Sequence, residues 1–243
     1  MVAILHEVLA PFGLNLVGVA AVAEYEAGVP ETAALRHYFP AAVSAIVIGN
    51  GGGDFWRAYT AYMRAHPDRA VGPDPLDTFT RHVVETVACP WLAADGIRPE
   101  IVYPFAAVKV SFMRLAACAG LGVPSVLGVL IHPTFGPWIA LRAALLVTEQ
   151  LTLPGPATGF DPCPTCTQRA CVSACPAGAV SERGWDAPTC ADYRGSLADP
   201  CAPMCHARFQ CVIGREHRYP AEAAAHHQAH VRAALLSSRR APR

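Results

Sequence analysis

The sequence lacks net charge. Its 19 Lys and Arg residues balance 19 Asp and Glu residues, and only 16% of the chain is charged. That excludes the broad basic footprint of a nucleic-acid binder and any strong pull towards an acidic membrane surface. Arg239, Arg240 and Arg243 are too few to change this and read as a solvated end. A secretory signal is also missing. Leu9 to Val22 is largely apolar, but His6 and Glu7 precede it and no Lys or Arg does, so there is no positive n-region. Nor is there an unbroken apolar span. Val123 to Val147 is long enough, yet His132-Pro133-Thr134-Phe135-Gly136-Pro137 interrupts it, and such a break is incompatible with a spanning helix. Gly51-Gly52-Gly53 has no Gly-Lys-Ser/Thr after it, so it is a connection and not a phosphate loop. No internal repeat appears at helical-repeat periods. A soluble, cytoplasmic protein is expected, with neither nucleic acid nor membrane as partner.

What the chain has in excess is cysteine, in one place. Eight of its ten cysteines fall in the 49 residues from Cys163 to Cys211. Thiolates this dense need a common partner: disulfides, zinc or iron–sulfur clusters. Disulfides need an oxidising compartment, which the N-terminus does not suggest. The run Cys163-x2-Cys166, Cys171-x3-Cys175-Pro176 resembles the bacterial ferredoxin pattern Cys-x2-Cys-x2-Cys-x3-Cys-Pro. Here the second gap is four residues, not two. Zinc remains the alternative, because Cys-x2-Cys also suits a tetrahedral thiolate site, but zinc has no use for the Cys-x3-Cys-Pro ending. Cys190, Cys201, Cys205 and Cys211 supply the other four thiolates. In ferredoxins the fourth cysteine of the run ligates the other cluster. That crossing would group Cys163, Cys166, Cys171 and Cys211 on one 4Fe–4S cluster, and Cys175, Cys190, Cys201 and Cys205 on a second. Cys89 and Cys118 stand apart and read as small buried apolar residues.

With 243 residues, 53% of them hydrophobic, the chain can hold one sizeable domain and a smaller one. Residues 1–152 read as an α/β domain. A short helix is expected first, then a turn at Gly13 and a strand over Leu14–Val22. Pro30 suits a first helical position, so a helix is expected over Glu31–Tyr38. Ala42–Gly49 is the strongest strand signal, and Asp54–Ala65 reads as a helix. Asp74-Pro75 opens the next as N-cap and N1, with Leu76, Phe79, Val83, Val84 and Val87 at the helical period. Ile101–Phe105 is a strand candidate and Ser111–Ala119 a helix. Val126–Ile131 and Trp138–Val147 are expected as adjacent antiparallel strands in one sheet with Ala42–Gly49, although Ile139–Leu146 has good helix propensity. Residues 153–162 read as a linker, 153–218 as the cysteine domain, and 219–243 as a terminal helix and tail. His226 and His230, four apart on that helix, read as surface histidines.

The element order, with Ala119-Gly120-Leu121-Gly122, then Leu130 to Trp138, then the cysteines, resembles the epoxyqueuosine reductase and reductive dehalogenase group. Gly128 to Arg142 also resembles the cobalamin-trafficking chaperone of the methylmalonic aciduria and homocystinuria type C family. The resemblance implies a nitroreductase-like α+β sheet domain that handles a corrinoid, followed by a small ferredoxin-like domain with two clusters. It also implies a pocket using Tyr103, Lys109, His132, Trp138 and Arg142. Two features depart from it. The stretch Ile101–Lys109 has no Asp or Glu where the reductases carry a catalytic acid, and Thr134 stands where the chaperone has arginine after His-Pro. No catalytic residue is therefore assigned. The expectation is an iron–sulfur electron-transfer protein that passes electrons to a cofactor or substrate in its N-terminal domain. The donor would be a redox partner such as a reductase or flavodoxin. The rival readings are a non-enzymatic redox-partner or cobalamin-trafficking protein, and a zinc-stabilised binding module.

Overall fold

The computed structural model describes residues 2–71, 74–151, 159–196 and 199–240. Most of the expected linker (153–158) and Arg243 lie outside the described residues. The chain divides into two compact units. The first is Met1–Val123 with Ile139–Gly159; the second is Pro124–Trp138 with Phe160–Arg243.

The first unit is built on a four-stranded antiparallel sheet, β1 (Leu16–Ala21), β2 (Ser44–Gly51), β3 (Glu100–Val102) and β4 (Ile139–Val147), in the order β1-β2-β4-β3. Val47 lies opposite both Gly18 and Ala144, and the register slips by one residue between Ile48 and Gly49. Every residue of β2 is buried, so both faces of this strand are covered. Side chains alternate across a strand. Ile46, Ile48, Ala143, Leu145 and Val147 share one core cluster with Leu5 and Leu9 of the first helix and with Phe55, Phe79 and Val83. The helix Phe112–Cys118 packs on β1 and β4. The result is a mixed α/β architecture, as expected.

The helices follow from local chemistry. Asp54–Ala65 is a helix over the expected span. Asp74 caps the next, its carboxylate accepting the Asp77 N–H at 3.3 Å, with Pro75 in the first turn. Removing that cap with Asp74→Ala is expected to cost about 1 kcal/mol, read as a lower urea midpoint; an unchanged midpoint would contradict the capping role. This helix runs on through a π-helical turn at Val84–Ala88 into Cys89–Ala94. Pro90 supplies a cause, since proline lacks an N–H and crowds the carbonyl four residues earlier. A π turn is one way a helix absorbs that insult.

Three expectations need correction. Glu31–Tyr38 is not one helix but two 3-10 turns, Glu31–Ala33 and Leu35–His37, with Ala34 between them extended at ψ 139. The strand at Ile101 spans only Glu100–Val102. Trp138–Val147 does supply a strand beside β2, but Val126–Ile131 is not in that sheet. Leu130–Ile131 belongs to a separate two-stranded sheet, and Pro124–Trp138 groups with the cysteine-bearing unit. An apolar run of strand length fixes burial but not its partner. Leu127 and Ile131 are buried here against Val180, Ala207 and Cys211.

The second unit is assembled from short pieces. His132 and Gly136 exchange backbone bonds at 2.9 and 2.8 Å to close the turn, and His132 Nδ1 accepts the N–H groups of Thr134 and Phe135 at 3.1 and 3.2 Å. Burial holds the His132 pKa down at about 4, so the ring is neutral and free to accept. The tip of this turn meets the 213–214 segment backbone to backbone. Gly136 and Gly214 both have left-handed φ angles, +56 and +66. The helix Ala187–Arg194 packs on the terminal helix Ala221–Arg240. That terminal helix is thus part of the second unit, not a separate segment.

Candidate metal centre

The eight clustered cysteines sort into two cavities of the second unit. One, narrow at about 30 Å³, is lined by Cys163, Cys166, Cys171 and Cys211. The other, about 180 Å³, is lined by Cys175, Cys190, Cys201 and Cys205. These are the two sets that crossed ferredoxin ligation predicts. Short helices place them. Cys163 sits in Pro162–Thr165, Cys171 in Ala170–Ser173 and Cys190 in Ala187–Arg194. Cys205 is the N-cap of His206–Phe209. Leu127 walls both cavities, so the loop before the His132 turn is a shared partition.

All ten cysteines are free thiols. Among the described residues, no three of the eight have sulfurs all within 4.8 Å of one another.

The electrostatics follow the same partition. Burial pushes the Cys171 thiol up, and Cys211, Cys163 and Cys166 add to it. Burial also raises Cys211, opposed by the N–H of Ile213 on its sulfur. In the other set, burial raises Cys190 against a Trp185 hydrogen bond and the Arg194 charge. Cys201 is pushed up to about 11, first by burial, then by Cys205 and Asp199. Two sets of four soft sulfur donors fit a metal cluster.

The five residues expected to form a cofactor pocket are divided between the two units. Tyr103 donates to Glu85 Oε1 at 3.1 Å, with the Arg81 guanidinium over its ring. Burial and the Glu85 charge push its hydroxyl well above the usual tyrosine range. It lines a cavity of about 480 Å³ with Tyr38, Arg81, Ile101 and Val108. Lys109 is exposed. Arg142 is buried, its Nε donating to Asn50 Oδ1 at 2.7 Å and its guanidinium over Phe55. His132 and Trp138 belong to the second unit. His132 is committed to its turn. Trp138 is buried beside Arg208 and Tyr219, and among the described residues Trp138 Nε1 and Tyr219 Oη have no hydrogen-bond partner.

Sequence reasoning missed several side chains that structure puts at these places. Glu85, in the π turn, accepts from Tyr103. Arg194 lies one helical turn after Cys190 and Asp199 two residues before Cys201, so that spacing was the available signal.

The fold defines a class: an α/β sheet unit joined to a small unit that gathers eight cysteines in two sets. Solved proteins of this architecture are redox enzymes and a cobalamin carrier. The epoxyqueuosine reductase of Bacillus subtilis superposes with a TM-score of 0.54 at 16% identity, over 90% of this chain and 66% of its own. The B12-trafficking protein CblC of C. elegans gives a TM-score of 0.54 at 13% identity, over 89% of this chain and 88% of its own. A catabolic reductive dehalogenase in complex with 3-bromo-4-hydroxybenzoic acid gives 0.51 at 19% identity, over 93% of this chain and 34% of its own. The chain thus spans about two thirds of the reductase and nearly all of the carrier. These likenesses agree with the resemblance read from the sequence and establish the fold. No protein-family model matches the chain, and no curated protein matches it significantly by sequence. Among the described residues no helix is long and apolar enough to cross a membrane.

Proposed function

We propose that this chain is an iron–sulfur electron-transfer protein with two 4Fe–4S clusters. Cys163, Cys166, Cys171 and Cys211 would hold one; Cys175, Cys190, Cys201 and Cys205 would hold the other. The observation that carries the reading is the four-and-four division of the thiols between two cavities. The clusters supply one-electron chemistry. The protein's part is to bury them and to aim N–H groups at the sulfurs, which sets their potential. Ile213 N–H on Cys211 and the Trp185 side chain on Cys190 are such donors.

The electrons need a destination. A corrinoid is the acceptor to test first, supported by the likeness to a B12-trafficking protein. Of the five side chains expected to hold it, Tyr103, Arg142 and His132 are already engaged within the protein. This engagement favours a second reading, a carrier whose first unit docks a redox partner. Donor and acceptor in either case are redox proteins or cofactors.

Anaerobic reconstitution is expected to give about eight irons and about eight acid-labile sulfides per chain, with a brown colour. A colourless preparation full of zinc and free of labile sulfide would overturn the proposal.

A further inference from the structure

We infer that the buried Arg194 guanidinium raises the reduction potential of the cluster held by Cys175, Cys190, Cys201 and Cys205. The inference rests on the cluster reading above, since the charge needs a cluster to act on.

Arg194 ends the 187–194 helix, one turn after Cys190. Its side chain is only 3% exposed, and that of its counter-ion Asp199 5%. Nε and Nη2 donate to Asp199 Oδ2 at 3.1 and 3.0 Å, and Nη2 also donates to the Gln228 carbonyl at 2.9 Å. Arg194 lines the cavity with the four cysteines; Asp199 is not among its lining residues. The cation therefore borders the cavity that the thiols line. Asp199 is itself tied to the site, its Oδ1 accepting the Cys201 N–H at 2.9 Å. Arg232 approaches the same carboxylate at 3.6 Å from the outer side. Arg208 lines the same cavity, whereas Arg232 and Asp199 do not, so the lining itself carries two arginines and no carboxylate.

Reduction adds one electron to a cluster and breaks no bond. A fixed positive charge stabilises that electron, so the potential rises. Burial matters, because a charge withdrawn from solvent is poorly screened. The Arg194 charge also favours the thiolate of Cys190, whereas at Cys201 Asp199 opposes it. The other cavity has no counterpart of this burial. Its lining arginine, Arg169, is 30% exposed and reaches Glu182 at 3.9 Å. A purely structural reading, in which Arg194 only ties its helix to the terminal one, predicts lower stability and no selective change in potential.

The test is a redox titration of reconstituted full-length protein, followed by electron paramagnetic resonance. Arg194→Gln is expected to make one of the two clusters about tenfold harder to reduce, 59 mV for one electron, and to leave the other unchanged. Arg194→Lys is expected to restore most of the potential. Asp199 keeps Arg232 as counter-ion in both variants. Should Arg194→Gln fail to assemble, Arg232→Gln removes the outer cation and is expected to shift the same cluster downward by less. Unchanged potentials, or equal shifts of both clusters, would overturn the inference. Absence of labile sulfide in the wild-type protein would overturn the cluster reading and the inference with it.

Discussion

Serine at Cys171 is expected to remove one proposed cluster, and serine at Cys175 the other, although Cys175 lies only four residues on, just past the end of the short helix that holds Cys171. Cys171 lines the cavity of Cys163, Cys166 and Cys211, and Cys175 that of Cys190, Cys201 and Cys205. Each substitution leaves three thiolates for four irons on one side and an intact set on the other. Iron and labile sulfide should fall to about four per chain in each variant. The paramagnetic signal that survives in one should be the signal lost in the other. The same signal missing from both would mean that the cysteines are paired in sequence order, and the crossed assignment would be wrong. Cys89→Ser is the control. It packs against the core of the first unit and should leave both signals intact.

The second large effect is expected at Gly214. A Cβ there would stand 2.4 Å from the Phe135 carbonyl carbon and 2.6 Å from the Gly136 nitrogen, and φ is +66. The neighbours are backbone, so no rotamer change relieves the clash. Left-handed geometry costs an L-residue about 1–2 kcal/mol, and displacing packed backbone adds about 1–3 kcal/mol. Gly214→Ala should therefore lose about 3 kcal/mol in all. The damage should also reach the cluster, because Ile213, next in the chain, donates its N–H to the Cys211 sulfur. Gly178→Ala separates the two causes: its φ is +64, but nothing lies within 4 Å of the added carbon. It should cost about 1 kcal/mol and leave cluster content alone. Equal urea midpoints and equal iron content for the two variants would contradict this account.

Where local chemistry decides, the sequence was legible. Asp74 followed by Pro75 marks a helix start because an N-cap carboxylate and a residue without an N–H each satisfy a local need. The spacing of the cysteines grouped them four and four, and the same groups line the two cavities. Trp138–Val147 was read as a strand against its helix propensity, and it pairs with β2 from Ile139 onward. Where the outcome depends on which surface an apolar run meets, the sequence was silent. Val126–Ile131 looked like the partner of the following strand. It finds its burial on Val180 and Ala207, dozens of residues later. The Glu31–Tyr38 stretch had a proline to open it but no side-chain cap, and tertiary contacts left it as two separate turns.

The side chains named for a pocket show where local pattern stops. All five, Arg142 included, were named because of a resemblance. Arg142's partners, Asn50 and Phe55, come from a strand and a helix some 90 residues earlier. No spacing rule reaches that far.

The placing of Pro124–Trp138 in the second unit has a consequence for how the protein is made. β4 lies between β2 and β3 in the sheet, so the first unit cannot close until residue 147 has left the ribosome. By then Leu127 and Ile131 have already been synthesised, ahead of every thiol they will later shield. Domains fold largely as units during synthesis. Here the second unit has to wait with its first segment in hand until Cys211 and the terminal helix arrive. A fragment starting at the linker would carry all eight thiols yet lack Leu127, which walls both cavities. In the cluster reading proposed above, insertion would have to follow synthesis of both Leu127 and Cys211, and a product that stops short of Cys211 would lack one of the four thiols of its cavity.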